Sequence, residues 1–495
     1  MTAGCTISAE PAQAAGDATA LDAFRAALGD RAVLTAAADL LHYETGARYD
    51  RGRALAVLRP DTTFGVSTAM AIAARYGLTL IPQSGNTGLV AGSTPDLSGR
   101  QVVLSLDRMV GVFDLDPQER VLTVSAGMRL SEVNRRLAAE GLFLPIDLGS
   151  DPAIGGMIAT NTGGARYLRF GDMRRQVLGL TAVLGNETGQ VVRLGGSLRK
   201  DNTRPDIKQL FIGTSGAFGI VTEAVLTVEP LPAQQAACLV LPVSRAAAIP
   251  LLAHLERRLG PLLSAFEGMS GNAVGAALSH VPRLRNPFAG GRVPDYSLLI
   301  EVSCPWPADG MQPSAEDLLQ DALAGIMASD AGLIEDALFG PSEVSWSIRH
   351  ALSDGVRSLG RLIAFDLGFR RGDAVEFIAR MQQEMSDRYP GIMICDFGHI
   401  ADGGVHFNLV VAPADPLLSD PQALTGLSDW VVDTAVNGYG ASFSAEHAIG
   451  RKNQLWHDRY VPVAERELAE ALIKALAPVQ PGAARFGTDR IAPVP

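Results

Sequence analysis

The chain has 495 residues, 47% of them apolar and 19% charged, with a formal net charge of −11. That length exceeds a single typical core, so two or more domains are expected. The acidic balance argues against a nucleic-acid partner, which needs a basic face. Four scattered cysteines (Cys5, Cys238, Cys304 and Cys395) make neither a CxxC pair nor a disulfide framework. The first 20 residues lack the basic and apolar regions of a secretory signal. No apolar run reaches the roughly 18 residues of a membrane span. A cytoplasmic protein in a reducing compartment is expected.

In chain order, residues 17–43 read as two short helices and 54–59 as a strand ended by Pro60. Residues 62–76 have helical periodicity, with Gly77 where a C-terminal glycine cap belongs. A strand over 78–82 then enters a glycine-spaced loop containing Ser84, Gly85, Asn86, Thr87, Gly88 and Leu89. Strand, helix, strand and glycine loop form an α/β opening. Strands follow over 102–106 and 120–124, then a helix over 129–140 closed by Gly141. A second glycine-rich loop spans 145–164. A third, 212–221, precedes a strand over 223–228, and Pro230 and Pro232 mark a boundary. Exposed backbone N–H groups in such loops form concavities suited to a pyrophosphate. Neither GxGxxG nor GxxxxGK[ST] is present, so a nicotinamide Rossmann domain or a P-loop is not supported. Three such loops in one region suggest a large phosphorylated cofactor lying along them.

From 231 to about 440, strand-like runs (237–242, 296–302, 362–369) alternate with helical ones (246–259, 315–328, 372–389), as in an α+β unit with an antiparallel sheet. Within it lies FGHIADGGVHFN, residues 397–408, and beyond it SAEHAIG, residues 444–450. If Ala401 to Gly404 form a hairpin loop, His399 faces His406 directly across the ladder, where Cβ atoms lie roughly 5 Å apart. Two imidazoles can then share one ion, and Glu446 can supply a carboxylate, giving an open, catalytic type of metal site. Two histidines beside a glycine-rich turn read equally well as a polar surface loop. Asp402 fits a turn residue. His42, His254, His280, His350 and His457 have no comparable setting.

IPQSGNTGLVAGSTP, DLGSDPAIGGMIATNTGGARYLRFGD and LRKDNTRPDIKQLFIGTSGAFGIVTEAVL resemble the FAD-binding domain of vanillyl-alcohol-oxidase-type flavoproteins. GHIADGGVHFN and SAEHAIG resemble the branch of D-2-hydroxyglutarate, D-lactate and glycolate dehydrogenases. The resemblance runs from about residue 20 to the C-terminus. It implies an α+β chain with a two-subdomain FAD-binding domain (17–231) and an antiparallel-sheet substrate-binding cap domain (232–440). A C-terminal segment (441–495) would return to the flavin. By motif position, Ser84, Gly85, Asn86, Thr87, Gly88 and Leu89 would hold the pyrophosphate. Gly149, Ser150, Gly155, Gly156, Thr160 and Asn161, with Gly219, Ile220 and Val221, would line the ribityl and flavin portions. Asn86 stands where covalent members often carry histidine, so noncovalent FAD is expected.

In the cap, Trp346 to Arg349 resembles the family's W-x-x-R-E element. It implies that Arg349 binds a substrate carboxylate, with Ser353 one turn on. Several positions depart from the family: Ala364 stands at a lysine position, with Arg357 or Arg361 as substitutes, and Ala401, Gly404, Ala448 and Asn453 replace usual residues. The NPGK ending is not legible in QPGAARFGTDRI.

The chemistry then expected is oxidation of a D-2-hydroxy acid, of the D-2-hydroxyglutarate or D-lactate class, with hydride transfer to flavin N5. A divalent metal on His399, His406 and Glu446 would chelate carboxylate and hydroxyl together. Zinc is the first choice, although this donor set does not separate it from Mn²⁺ or Fe²⁺. His447 is the candidate general base, and Asn408, on the strand face of His406, would orient oxygen. The small-molecule hydroxy acid and an unidentified electron acceptor are the expected partners, and relatives suggest a homodimer. Two alternatives stay open. One is a metallohydrolase, which would be colourless; the other is a flavin-binding protein with altered or lost substrate chemistry.

Overall fold

The computed structural model describes residues 9–48, 51–329 and 332–488. Cys5, the N-terminal residues 1–8 and the last residues of the C-terminal segment, 489–495, lie outside them.

The N-terminal half holds two main sheets and a short two-stranded one, Leu142–Phe143 with Glu229–Pro230. The first orders strands Val33–Leu34, Ala54–Leu58, Gln101–Ser105 and Leu80–Gln83, the last three parallel. Helix Thr63–Arg75 joins two of them; Thr62 caps it by accepting from the Gly65 N–H, and Gly77 follows at φ +63. The second sheet is antiparallel, in the order Phe113–Asp116, Val121–Ser125, Gly219–Thr227, Val177–Leu184 and Val191–Gly195. Helix Ile154–Thr160 packs on it. That helix sits inside the second glycine-rich loop, and the third loop runs directly into the strand that starts at Gly219.

The C-terminal half is built on one antiparallel sheet. Its order is Ile334–Phe339, Gln234–Pro242, Tyr296–Cys304, Leu263–Ser270, Phe397–Gly398, Gly404–Val411 and Arg361–Gly368, with Met393–Ile394 also pairing on Gly404–Val411. Alternation assigns each face its chemistry. Phe266, Ile300, Phe365, Leu367, Val405, Phe407 and Leu409 enter a core with helices Ala248–Leu259, Ala315–Met327, Arg371–Arg388 and Pro421–Tyr439. The opposite face carries Glu267, Glu301, Asp366, His406 and Asn408, all buried or nearly so. Helices Gly271–His280 and Ser342–Ser358 cover part of that face. A cleft of about 470 Å³ separates it from the glycine loops of the N-terminal half.

The C-terminal segment returns to that N-terminal half. The Gly482 N–H donates to the Leu80 carbonyl at 2.8 Å, and Ile473 joins the second sheet's core. Among the described residues, no helix is long and apolar enough to cross a membrane.

Candidate active site

The cleft's N-terminal wall is mostly backbone. Ser84 to Leu89, Gly149, Ser150, Gly155, Gly156, Thr160 and Gly219 to Val221 all line it. None of the N–H groups of Gly85, Asn86, Thr87 or Gly88 donates to a backbone carbonyl among the described residues. Four such donors on a cleft wall make a cradle for an anionic group. The loops stack closely because they lack side chains: a Cβ on Gly85 would lie 2.8 Å from the Ala153 nitrogen, and one on Gly155 would lie 2.8 Å from the Ala126 Cβ. Gly149 meets nothing within 4 Å, so its side facing the cleft is open. A long, flat, phosphorylated cofactor fits this wall.

One residue expected there is elsewhere. Asn161 does not line the cleft. It ends helix Ile154–Thr160 in the left-handed conformation (φ 51), donates to Asp172 at 2.7 Å and accepts from the Arg174 N–H. Asparagine is suited to such a cap, and its role is to close the helix. Asn86, also left-handed, spends its amide on the Thr45 carbonyl and the Ser93 hydroxyl.

The opposite wall is built from side chains. His399, His406, Glu446, His447, Asn408, Arg349 and Ser353 all line it. One ligand atom from each of His399, His406 and Glu446 lies within 4.8 Å of the others. The route to that geometry differs from the expected hairpin. His406 pairs with Phe397, not His399. The chain instead folds onto the His399 carbonyl, which accepts from the Asp402 and Gly404 N–H groups, while the Asp402 side chain accepts from Gly404 at 2.8 Å. The turn is therefore wider than four residues, and His399 rides on its shoulder. The two rings still meet edge to face, with centroids 5.5 Å apart.

Two acids stand behind the histidines, and one of them fixes a ring. Glu267, fully buried, bonds His399 Nδ1 at 2.7 Å and accepts from Arg349 Nε at 2.7 Å. That leaves His399 Nε2 toward Glu446, 3.5 Å away, the carboxylate–imidazole arrangement that supports metal ligands. Burial pushes Glu267 up, but His399 and Arg349 outweigh it and hold it down to about 2. Burial likewise opposes a proton on His399, yet Glu267 and Glu446 prevail and hold its pKa well above the ordinary value. A divalent cation would take over the neutralising role that this proton plays between two carboxylates. Burial keeps His406 below its ordinary value, neutral as a ligand must be.

Asp366, opposite His406 in the ladder, accepts the backbone N–H groups of both Glu446 and His447 at 2.8 Å. Its second oxygen lies 3.6 Å from His406 Nδ1, and His447 Nδ1 is 3.5 Å from the first. Glu267 and Asp366 were not singled out by sequence reasoning, since each is one acid in an otherwise apolar strand. The available signal was an ionisable residue at an inward position of an alternating strand.

Arg349 is not a surface cation: its side chain is 11% exposed and stacks over Phe397. Asn408 donates to the Cys395 and His406 carbonyls, so it offers the cleft an acceptor oxygen. Ala364 lines the cleft directly opposite Asn408. Arg357 reaches the cleft and pairs with Asp354 at 2.6 Å, whereas Arg361 starts its strand exposed and outside it. His350, without a special setting in the sequence, stacks on Trp346 at the cleft wall.

The two walls touch at Glu446. A Cβ on Gly163, in the second glycine-rich loop, would lie 3.0 Å from its Oε1. The segment carrying it is anchored to the N-terminal half: Ser215 donates to the Ile449 carbonyl at 2.6 Å, and Arg451 donates to Thr94 Oγ1 and the Pro95 carbonyl.

A cofactor cradle facing an antiparallel-sheet cap defines the class, an FAD-linked oxidoreductase of the vanillyl-alcohol-oxidase type. The FAD binding domain family matches residues 54–195, and the C-terminal domain of FAD linked oxidases matches residues 231–480. The fold is shared with p-cresol methylhydroxylase (TM-score 0.71, 15% identity, covering 94% of this chain and 95% of that one). It is also shared with 4-ethylphenol oxidase from Gulosibacter chungangensis (TM-score 0.69, 19% identity, 97% of each chain). Among curated proteins, the chain is 31% identical over 442 residues to the D-2-hydroxyglutarate dehydrogenase of Xanthomonas citri pv. viticola, covering 86% of this chain and 88% of that one. It is 29% identical over 470 residues to the mitochondrial D-2-hydroxyglutarate dehydrogenase of Arabidopsis thaliana, covering 92% and 80%. The chain belongs to this family of FAD-dependent hydroxy-acid dehydrogenases.

Proposed function

We propose that this protein oxidises a D-2-hydroxy acid to the 2-oxo acid with noncovalently bound FAD and a divalent metal, zinc by first choice. The carrying observation is Glu446, which stands within reach of His399 and also touches the second glycine-rich loop, so the ligand cluster adjoins the cofactor wall. FAD, when bound along the three glycine loops, supplies the hydride acceptor at N5. A cation held by His399, His406 and Glu446 supplies a Lewis acid for the substrate's carboxylate and hydroxyl oxygens.

The chain's own residues do the rest. Arg349, steadied by Glu267, presents its remaining N–H groups to the substrate carboxylate. Ser353, one turn further along the same helix face, adds a hydroxyl. His447 takes the substrate hydroxyl's proton, with Asp366 holding its backbone N–H and lying 3.5 Å from its Nδ1. Asn408 contributes an acceptor oxygen beside the reacting carbon. Asn86 has no nucleophilic atom for a flavin bond, which supports noncovalent FAD. The free, buried thiols of Cys238, Cys304 and Cys395 support a reducing setting.

The test is anaerobic flavin bleaching by D-2-hydroxy acids, before and after EDTA treatment and metal return. Bleaching that is lost on chelation and restored by Zn²⁺ is the expected result. Full reduction by metal-free enzyme would leave the hairpin histidines a structural cluster.

A further inference from the structure

This inference rests on the proposed function and concerns the part of the substrate that does not react. On the cleft-facing side of the large sheet, the ladder runs from Asp366 opposite His406 to Ala364 opposite Asn408, and then to Leu362 opposite Val410. Each pair is about 7 Å beyond the last. Ala364 and then Leu362 are thus the next residues along the sheet from the ligand cluster, and both line the cleft beside a substrate whose C1 and C2 oxygens sit there.

Ala364 presents a methyl group. Leu362 packs with Trp346, Phe397 and Val410 in one apolar cluster. Asn408 has committed both of its donors to the Cys395 and His406 carbonyls, so it faces the space with an oxygen. The cations of the C-terminal wall are accounted for. Arg349 belongs to the C1 end, and Arg357 has its charge matched by Asp354. Burial lowers the His350 pKa, so that ring is neutral. Arg48 also lines the cleft, but on the N-terminal wall, next to Ala47, which borders Gly85 and Asn86 beside the first glycine loop. A second carboxylate placed against this sheet wall would lose its water, meet a methyl group, a leucine and an amide oxygen, and find no unmatched cation on that wall.

We propose that this pocket selects a D-2-hydroxy acid with a short, uncharged aliphatic side chain and disfavours a dicarboxylate, with Ala364 as the specificity-determining position. A methylene or two in such an apolar pocket is worth about 10- to 200-fold in kcat/KM.

The experiment uses FAD- and Zn²⁺-loaded enzyme and anaerobic flavin reduction. The substrates are D-2-hydroxybutyrate, D-2-hydroxy-3-methylbutyrate, D-2-hydroxy-4-methylpentanoate, D-malate and D-2-hydroxyglutarate. The best aliphatic acid should exceed both dicarboxylates by about tenfold or more in kcat/KM. Ala364→Lys, with flavin spectrum and melting temperature intact, should reverse that order, while Arg357→Gln should leave it unchanged. A wild-type preference for a dicarboxylate overturns the inference and leaves the proposed function standing. If Arg357→Gln removes that preference, Arg357 reads the second carboxylate. An unchanged order in a folded, flavin-loaded Ala364→Lys variant also overturns it. Flavin reduced by none of the five acids defeats the proposed function, and the inference with it.

Discussion

The two walls of the cleft are made by opposite means. The N-terminal wall recognises with main chain: side chains are absent at Gly85 and Gly155 so that loops can stack and leave backbone on the cleft wall. The C-terminal wall recognises with side chains: a flat sheet face bears acids and imidazoles, each held by another buried group. Main-chain recognition tolerates changes of side chain but not added bulk. Side-chain recognition tolerates neither loss of a group nor loss of its support.

If the walls are separable in this way, damage to one should spare the other. The largest effect is expected from Glu446→Gln or His399→Ala. Turnover should fall by about 10³-fold or more while visible flavin absorbance stays; loss of flavin as well would break the separation. His447→Ala should cost about 10²-fold in kcat, again with flavin retained, and near-wild-type turnover would remove it as base. Glu267→Gln keeps the shape but weakens the support of both His399 and Arg349. It should lower metal affinity or activity by about 10- to 100-fold, measured by Zn²⁺ titration of chelated enzyme. Gly85→Ala attacks the other wall. Flavin affinity should weaken by about tenfold, the scale of a single imperfect fit in a tight site, while the reduction rate of the enzyme that still holds FAD stays unchanged. The smallest effect is Ala448→Gly. Ala448 sits at φ 58, so glycine should raise stability by about 0.5–1 kcal/mol, read from denaturant unfolding.

Much of the N-terminal wall was legible because glycine spacing is itself the recognition device; the same letters that mark a turn mark the cradle. One helix hid there. Gly155 and Gly156 each weaken a helix by about 1 kcal/mol, yet Ile154–Thr160 is helical because Gly155 must pack onto Ala126. Helix Pro421–Tyr439 carried readable signals in Asp420 as cap, Pro421 in the first turn and Gly440 at its end. In the C-terminal wall, the ligand-bearing motifs stood out, but their supports did not. Glu267 and Asp366 come from strands far from those motifs, and only sheet pairing brings them beneath the imidazoles. The hairpin register failed for a related reason. Turn length was inferred from Gly/Asp content, whereas the His399 carbonyl, by accepting two N–H groups, draws one more residue into the turn.

The segment around Glu446 is pinned at Thr94, Pro95 and Ser215 on one side and at Asp366 on the other. It behaves as a rivet through both halves, while the two imidazoles it faces belong to the large sheet alone. Any parting of the halves would stretch the short run between these anchors, with Glu446 and His447 held to Asp366 and with Ile449 and Arg451 held to Ser215 and Thr94.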